Sequence, residues 1–327
     1  MFTLSSNITI TDPTGNFSLS NLPVIDCKIK KSRKTLTNTA TITLPRNLKI
    51  FNNSQSVDIN TIIQRKATVS IQIGYNGNLV TRFVGFVSNV GAQIPVTIDC
   101  EDMMWLLKQD NHLKSWGKGT RLLDIVKFLY PTGNVVVADM EIGGLTAKNQ
   151  STAQVLDSLK KFGLQCYFDT DATGNITLYV DFPGKTYSTS QQVVFDFYQN
   201  IIDNKLEYKL QEDLQVKITA TSTLDNGQII PITVGDEGGE ENTLKYYNMD
   251  KPNLQQIVDS ELAKIKYTGY RGTFTAFGEP LINLGDQTVL QDPLYPEHNG
   301  TYLTESVDIS FGVDGYRQEP ELERKLS

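Results

Sequence analysis

The chain has 327 residues, 39% hydrophobic and 20% charged, so it can bury a core over most of its length and is not a disordered chain. Its net charge of −7, with no basic block, lacks the electrostatic footprint of a protein that grips duplex DNA, and no sequence-specific nucleic-acid binding is expected. No apolar run approaches the ~20 residues that a membrane helix needs, so no membrane segment is expected.

The first hundred residues predict strands at 7–11, 25–31, 39–44, 67–75, 79–90 and 96–100, which alternate or run β-branched between polar and Gly/Pro/Asn punctuation. Asn76-Gly77 can take the positive φ angles of a tight turn, so the strands around it read as a hairpin. After Cys100 the pattern changes. Residues 101–107 are a short apolar-periodic stretch. Thr120 is placed to cap a helix at 121–129 whose face is Leu122, Leu123, Val126 and Leu129, with Pro131 as its stop. A second helix follows Ser151, with Val155, Leu156, Leu159 and Phe162 as its stripe and Gly163 as its end. Strands at 164–170 and 175–182 then turn back around Asp171-Ala172-Thr173-Gly174.

Strands return at 206–210, 214–223 and 228–234, and the acidic run Asp236 to Glu241 reads as an exposed loop. A helix at about 252–267 carries Leu254, Ile257, Val258, Leu262 and Ile265 on one side. Strands at 272–277, 287–291, 300–308 and 309–312 follow, and the charged segment 319–327 reads as a loose tail. The expected fold class is mainly β with an α+β insert. A first β-barrel spans 1–102 and an α+β middle domain 103–203. A second β-barrel spans 204–327, with one helix packed on it and a charged C-terminal tail. The two barrels are expected to superpose.

Candidate chemistry is sparse. Cys27, Cys100 and Cys166 form no CxxC spacing and read as reduced buried thiols of a protein made in the cytoplasm, and the first residues show no secretory leader. His112 and His298 stand alone, each without a Cys or His at ligand spacing. Asp169 to Gly174 opens like a calcium loop, but the fifth position is Thr173 and the twelfth Val180, so a plain turn is expected. Trp116-Gly117-Lys118-Gly119-Thr120 lacks the adjacent GK[ST] order of a phosphate loop. Glu212-Asp213 and Glu240-Glu241 are adjacent carboxylates, which on a strand point apart. No catalytic, metal or cofactor site is expected.

The last third carries ordered motifs. Gly269-Tyr270-Arg271-Gly272-Thr273-Phe274-Thr275-Ala276-Phe277-Gly278-Glu279-Pro280 leads into Leu284-Gly285-Asp286-Gln287, then Gly300-Thr301-Tyr302 and Phe311-Gly312-Val313-Asp314-Gly315-Tyr316-Arg317. These resemble the phage tail and baseplate hub family: late control protein D, Mu-like tail proteins and the N-terminal part of VgrG. Phe83-Val84-Gly85-Phe86-Val87 and Ile98-Asp99-Cys100-Glu101-Asp102 are similar to its first-barrel strands, while Leu284 stands where that family often has Pro.

The resemblance marks Gly272, Phe274, Phe277, Gly278, Gly285, Asp286, Gly300, Tyr302, Phe311, Gly312, Gly315 and Tyr316 as the structural signature. It implies two tail-tube-like β-barrels and a homotrimer that joins a hexameric tail tube protein to a separate trimeric tip spike protein, with a tape measure protein passing nearby. The setting implied is synthesis in the bacterial cytoplasm and assembly into a virion tail or injection particle of phage or prophage origin. Two rival readings are a glycan- or receptor-binding tail-tip protein and a tail-associated peptidoglycan hydrolase.

Overall fold

The computed structural model describes residues 3–45, 50–52, 55–57, 63–91, 95–142 and 144–327. Its largest element is a 13-stranded sheet. From one edge the strands run Ile201–Lys209, Gly269–Phe277, Gly315–Lys325, Gly300–Gly312 and Asp26–Ser32. They continue through Thr39–Leu44, Val96–Glu101, Asn78–Val90, Thr68–Tyr75 and Leu4–Thr11 to Ser18–Leu19. Gln287–Gln291 and Gln192–Asp196 branch from Gly300–Gly312. The period-2 reading holds in detail: Cys27, Ile29 and Lys31 point inward from one strand, and Ala40, Ile42 and Leu44 from its neighbour. The hairpin turn forms as expected, with Asn76 at φ 53° and Gly77 at φ 81°.

The protein is mainly β, but among the described residues none of its sheets closes, and the first and last thirds are not separate sheets. The strand Gly300–Gly312 joins them. Its first residues pair with Gln287–Gln291, and from Ser306 onward it pairs antiparallel with Asp26–Ser32. The join follows from matched alternation: Val307, Ile309 and Phe311 turn inward beside Lys31, Ile29 and Cys27.

The segment 319–327, expected to be a loose tail, lies mostly in the strand Gly315–Lys325, held between Gly269–Phe277 and Gly300–Gly312. Tyr316, Gln318, Pro320 and Leu322 are buried, while Arg317 and two of the charges that suggested a tail, Glu319 and Glu321, alternate toward the other face. Charge density alone therefore misleads where charged residues alternate with buried ones, as Glu319 and Glu321 do.

A second core lies under the middle of the chain. It gathers Leu122, Ile125, Val126 and Leu129 from the helix Leu122–Leu129, and Val155 and Leu156 from the helix Thr152–Ser158. Thr120 does not cap the first helix. Arg121 occupies the N-cap without a side-chain bond, and the Thr120 hydroxyl donates to the Gly117 carbonyl at 2.7 Å. The second helix is capped reciprocally by Ser151 and Gln154, runs on as a 3-10 turn, and ends at Gly163.

The helix Lys251–Ile265 starts at Asp250, whose carboxylate accepts from Asn253 N at 3.0 Å. Its apolar stripe was expected on a second barrel spanning 204–327, and it meets strands of that stretch, chiefly Val216–Thr223 and Ile229–Gly235 and also Gly315–Lys325 of the large sheet. Leu254, Ile257 and Val258 enter the second core beside Val216, Ile218, Ala220 and Ile232. Those four belong to a separate sheet built from Val216–Thr223, Ile229–Gly235 and Glu240–Tyr247. That sheet is mixed, and its Ile218 and Ala220 share the second core with the helix residues Leu254, Ile257 and Val258. The acidic run that read as a loop supplies the start of its third strand at Glu240.

Candidate functional site

The signature segment forms the centre of one half of the large sheet, where most of its side chains pack inward. Phe274 is buried and meets Phe195 edge-on at 4.9 Å between ring centroids. The buried Tyr302 hydroxyl accepts from Tyr270 N at 3.0 Å, and the Tyr267 hydroxyl donates to the Tyr270 carbonyl at 2.9 Å. A Cβ at Gly278 would lie 2.1 Å from the Tyr316 ring, so this glycine lets the ring rest directly on backbone. Gly272 and Gly300 lie in strands, and Gly312 and Gly315 flank the hairpin turn between Phe311 and Tyr316.

Gly285 and Asp286 form the turn that delivers the chain into Gln287–Gln291. The Asp286 carboxylate accepts from Asn283 N at 2.8 Å and from Gln191 N at 2.9 Å. Burial raises the pKa of this carboxyl, and the two backbone N–H bonds oppose that rise. Phe277 differs from the rest of the set: it is exposed, with the Arg317 guanidinium 5.0 Å from its ring centroid.

Residues outside the signature tie the three regions together, and sequence reasoning missed them. Arg33 is fully buried and donates to Glu323 Oε2 at 3.0 Å and to the Lys185 carbonyl at 2.9 Å. Its guanidinium lies 5.6 Å from the Tyr167 ring centroid. Lys31, also buried, pairs with Asp169 at 2.8 Å. Arg82 donates to the Ile282 carbonyl at 3.0 Å, and the Tyr75 hydroxyl to the Tyr316 carbonyl at 3.0 Å.

Asp102 closes the exit from the first region. Its carboxylate accepts from Asn38 N at 2.8 Å and Met104 N at 3.0 Å, and burial pushes its pKa up to about 7. The signal was an alternation with cations on the inward face, Cys27-x-Ile29-x-Lys31-x-Arg33, which hydropathy alone cannot assign a direction.

The side chains weighed for catalysis do not assemble a relay. His112 Nε2 lies 2.7 Å from Thr152 Oγ1 and 3.2 Å from Asp110 Oδ2, so both neighbours meet the same ring nitrogen. Thr152 is fully buried, and its N–H and hydroxyl are both spent on Asp110. His298 is stacked between Tyr208 and Tyr295, with centroids at 4.0 and 5.4 Å. Asp171 is saturated by Thr173 and Asn175. Against the opposing pull of burial, their hydrogen bonds bring its pKa down to about 2. This is a turn and not a metal loop.

Among the described residues no three His, Cys, Asp or Glu side chains gather as a metal set. All three cysteines are free and buried, and burial pushes Cys27 and Cys166 up to about 12, away from thiolate chemistry. No helix is long and apolar enough to cross a membrane among the described residues.

Two surface features remain. An open polar groove of about 910 Å³ crosses the middle region, lined by Lys108, Asp110, Asn149, Gln154, Asp157 and Lys161 among others. Ile201–Lys209 forms one edge of the large sheet, with Asp203, Lys205, Glu207 and Lys209 all exposed along it.

No protein-family model matches the chain, and no curated protein matches it in sequence. Solved structures do match in fold. A tail protein from Neisseria meningitidis superposes with a TM-score of 0.65 at 14% identity, over 98% of this chain and 97% of that one. The 43 kDa tail protein of prophage MuSo2 from Shewanella oneidensis gives 0.63 at 16% identity, over 98% of each chain. An Escherichia coli component of the type VI secretion system, described as structurally similar to the T4 phage tail proteins gp27 and gp5, gives 0.60 at 11% identity. That match covers 98% of this chain and 76% of the other. The chain thus has the fold shared by phage tail proteins and this secretion component.

Proposed function

We propose that this chain is the structural hub of a phage-type tail or contractile injection particle, a three-fold adaptor between a hexameric tail tube and a trimeric tip spike. The observation that carries the reading is the extent of the fold match, which spans 98% of this chain and 97–98% of two tail proteins. On this reading the two halves of the large sheet act as tube-like barrels. Three copies then present six such units to a six-fold ring, and three-fold symmetry continues into a spike supplied by another protein. A tape measure protein would thread the central passage. The chain would be made in the bacterial cytoplasm and end in the virion tail or particle. No catalytic step is assigned to it.

The buried junction supports a mechanical role. Lys31 and Arg33 fix the first strands to the middle region through Asp169 and the Lys185 carbonyl, and to the last strand through Glu323. An adaptor under axial load needs its parts to move as one body, and desolvated ion pairs with several partners each give that rigidity.

The test is to mix the full chain with its neighbouring tube and spike proteins and weigh the complex by light scattering. A core of three chains, three times 36.5 kDa, is expected with the spike present. A monomer or dimer that persists with both partners overturns the reading.

A further inference from the structure

The edge strand Ile201–Lys209 has a property that the hub reading does not use. Its charged residues follow the order Asp203, Lys205, Glu207, Lys209 on one face, and all four are exposed. Asn204, Leu206 and Tyr208 alternate with them on the other face. One edge of the strand is held by Gly269–Phe277, from Lys209 opposite Gly269 to Asp203 opposite Thr275. The other edge ends the sheet.

The N–H groups of Asn204 and Leu206 point to that free edge. They donate to side chains, Asn204 N to Asp203 Oδ1 at 2.9 Å and Leu206 N to Asn204 Oδ1 at 3.4 Å. Backbone groups on an exposed edge that have no partner strand are a template for another strand.

We propose that, in the absence of its partners, the chain pairs with a second copy of itself, two-fold and antiparallel, along this strand with Leu206 opposite Leu206. The charge order selects the register. With Leu206 at the centre, Asp203 faces Lys209 and Lys205 faces Glu207, and two-fold symmetry repeats each pair, so every cross-strand charge pair is opposite. A slip of two residues in pairing places Lys205 opposite Lys205 or Glu207 opposite Glu207. A slip of one sets the charged face of one copy against the Leu206 face of the other.

Parallel pairing is excluded on the same ground. Only one edge is free, and two copies can bring that same edge together with like faces aligned only by a rotation normal to the sheet, which runs the strands antiparallel. Backbone parity agrees. Asn204, Leu206 and Tyr208 become the hydrogen-bonded positions and the charged residues the closely spaced ones, where cross-strand ion pairs are strongest. Within one chain these charges make only exposed contacts, Lys205 with Glu319 at 3.4 Å and Lys209 with Glu207 at 2.9 Å, which are cheap to exchange. A contact one strand long buries less than a standard interface, so the dimer is weak and concentration-dependent. It caps the edge until assembly.

The full chain alone is examined by analytical ultracentrifugation across a concentration series. A monomer–dimer equilibrium is expected. K205E sets a carboxylate against Glu207 at both symmetry-related pairs and weakens it by about tenfold or more. K205E/E207K swaps the signs and restores it, which a folding defect would not do. L206C forms a disulfide-linked dimer under mild oxidation, since directly opposed strand residues lie within disulfide reach. A chain that stays monomeric at every concentration, or forms trimers alone, overturns the proposal, as does a double variant no better than K205E. The hub reading is tested with partners present and this one without them, so either fails independently of the other.

Discussion

Arg33 and Glu323 meet at 3.0 Å with side chains 0% and 2% exposed, 290 residues apart in the chain. Lys264 adds a second cation 3.4 Å from the other Glu323 oxygen. A desolvated pair of this kind contributes little net stability against an apolar substitute of similar shape, but breaking it strands a charge. Glu323→Ala should therefore destabilise the protein by about 3–5 kcal/mol. Arg33→Met with Glu323→Leu should recover much of that loss. Urea titrations of the three proteins decide it, and equal losses in the single and double variants would refute the coupling.

Asp102 predicts a pH dependence with a definite sign. Its carboxyl is raised by burial from the ordinary 3.8 to about 7, so the folded state binds the proton more tightly than the unfolded one. The contribution is complete below the unfolded value and is lost as pH rises through about 7. Wild type should thus lose melting temperature between pH 5 and pH 8 by more than Asp102→Asn does. Parallel slopes for the two proteins would show that another group governs this window.

Gly278 should tolerate no side chain. The Cβ of alanine would fall 2.1 Å from the ring of Tyr316, which is fully buried and cannot swing away. Gly278→Ala should cost about 1–3 kcal/mol, with Gly278→Val worse. Placing Leu at position 316 in the alanine variant should relieve part of the strain. Thermal melts read all three, and an unperturbed Gly278→Ala would mean that the strand shifts instead.

The His112, Thr152 and Asp110 cluster should be silent in catalysis, because one ring nitrogen faces both partners. Purified protein should leave peptidoglycan and glycans intact in zymograms. Thr152→Ala should lower stability by about 1–2 kcal/mol, through loss of its bonds to Asp110 and His112, without changing that baseline. Activity that vanishes in Asp110→Asn would overturn this account.

Much of the fold was legible because period-2 alternation is strong where one face is buried: the hairpin at Asn76-Gly77 and the strands ending at Cys100 follow directly. The misreadings share a physical cause. In Gly315–Lys325 Glu319 and Glu321 alternate with buried Gln318, Pro320 and Leu322, and composition reads them as a solvated tail. In Val216–Thr223 a correct strand was assigned to the wrong layer, because alternation tells which residues face inward but not which neighbour covers them. The signature glycines and aromatics were visible as motifs. Their companions Lys31 and Arg33 were not, since a buried charge announces itself only through a partner, and Asp169 and Glu323 lie far along the chain.

The junction strand has a consequence for how the molecule comes into being. Asp26–Ser32 has on one side a neighbour close in sequence, Thr39–Leu44, but on the other only Ser306–Gly312. Tyr75 likewise waits across 241 residues for the Tyr316 carbonyl. At about 5–20 residues per second of synthesis, the early strands spend on the order of tens of seconds with an open flank on the ribosome. Such long-range closure also makes spontaneous refolding slow and prone to clumping. Yield in a heterologous host should therefore respond more to growth temperature and to chaperones that shield nascent chains than to any change on the finished surface.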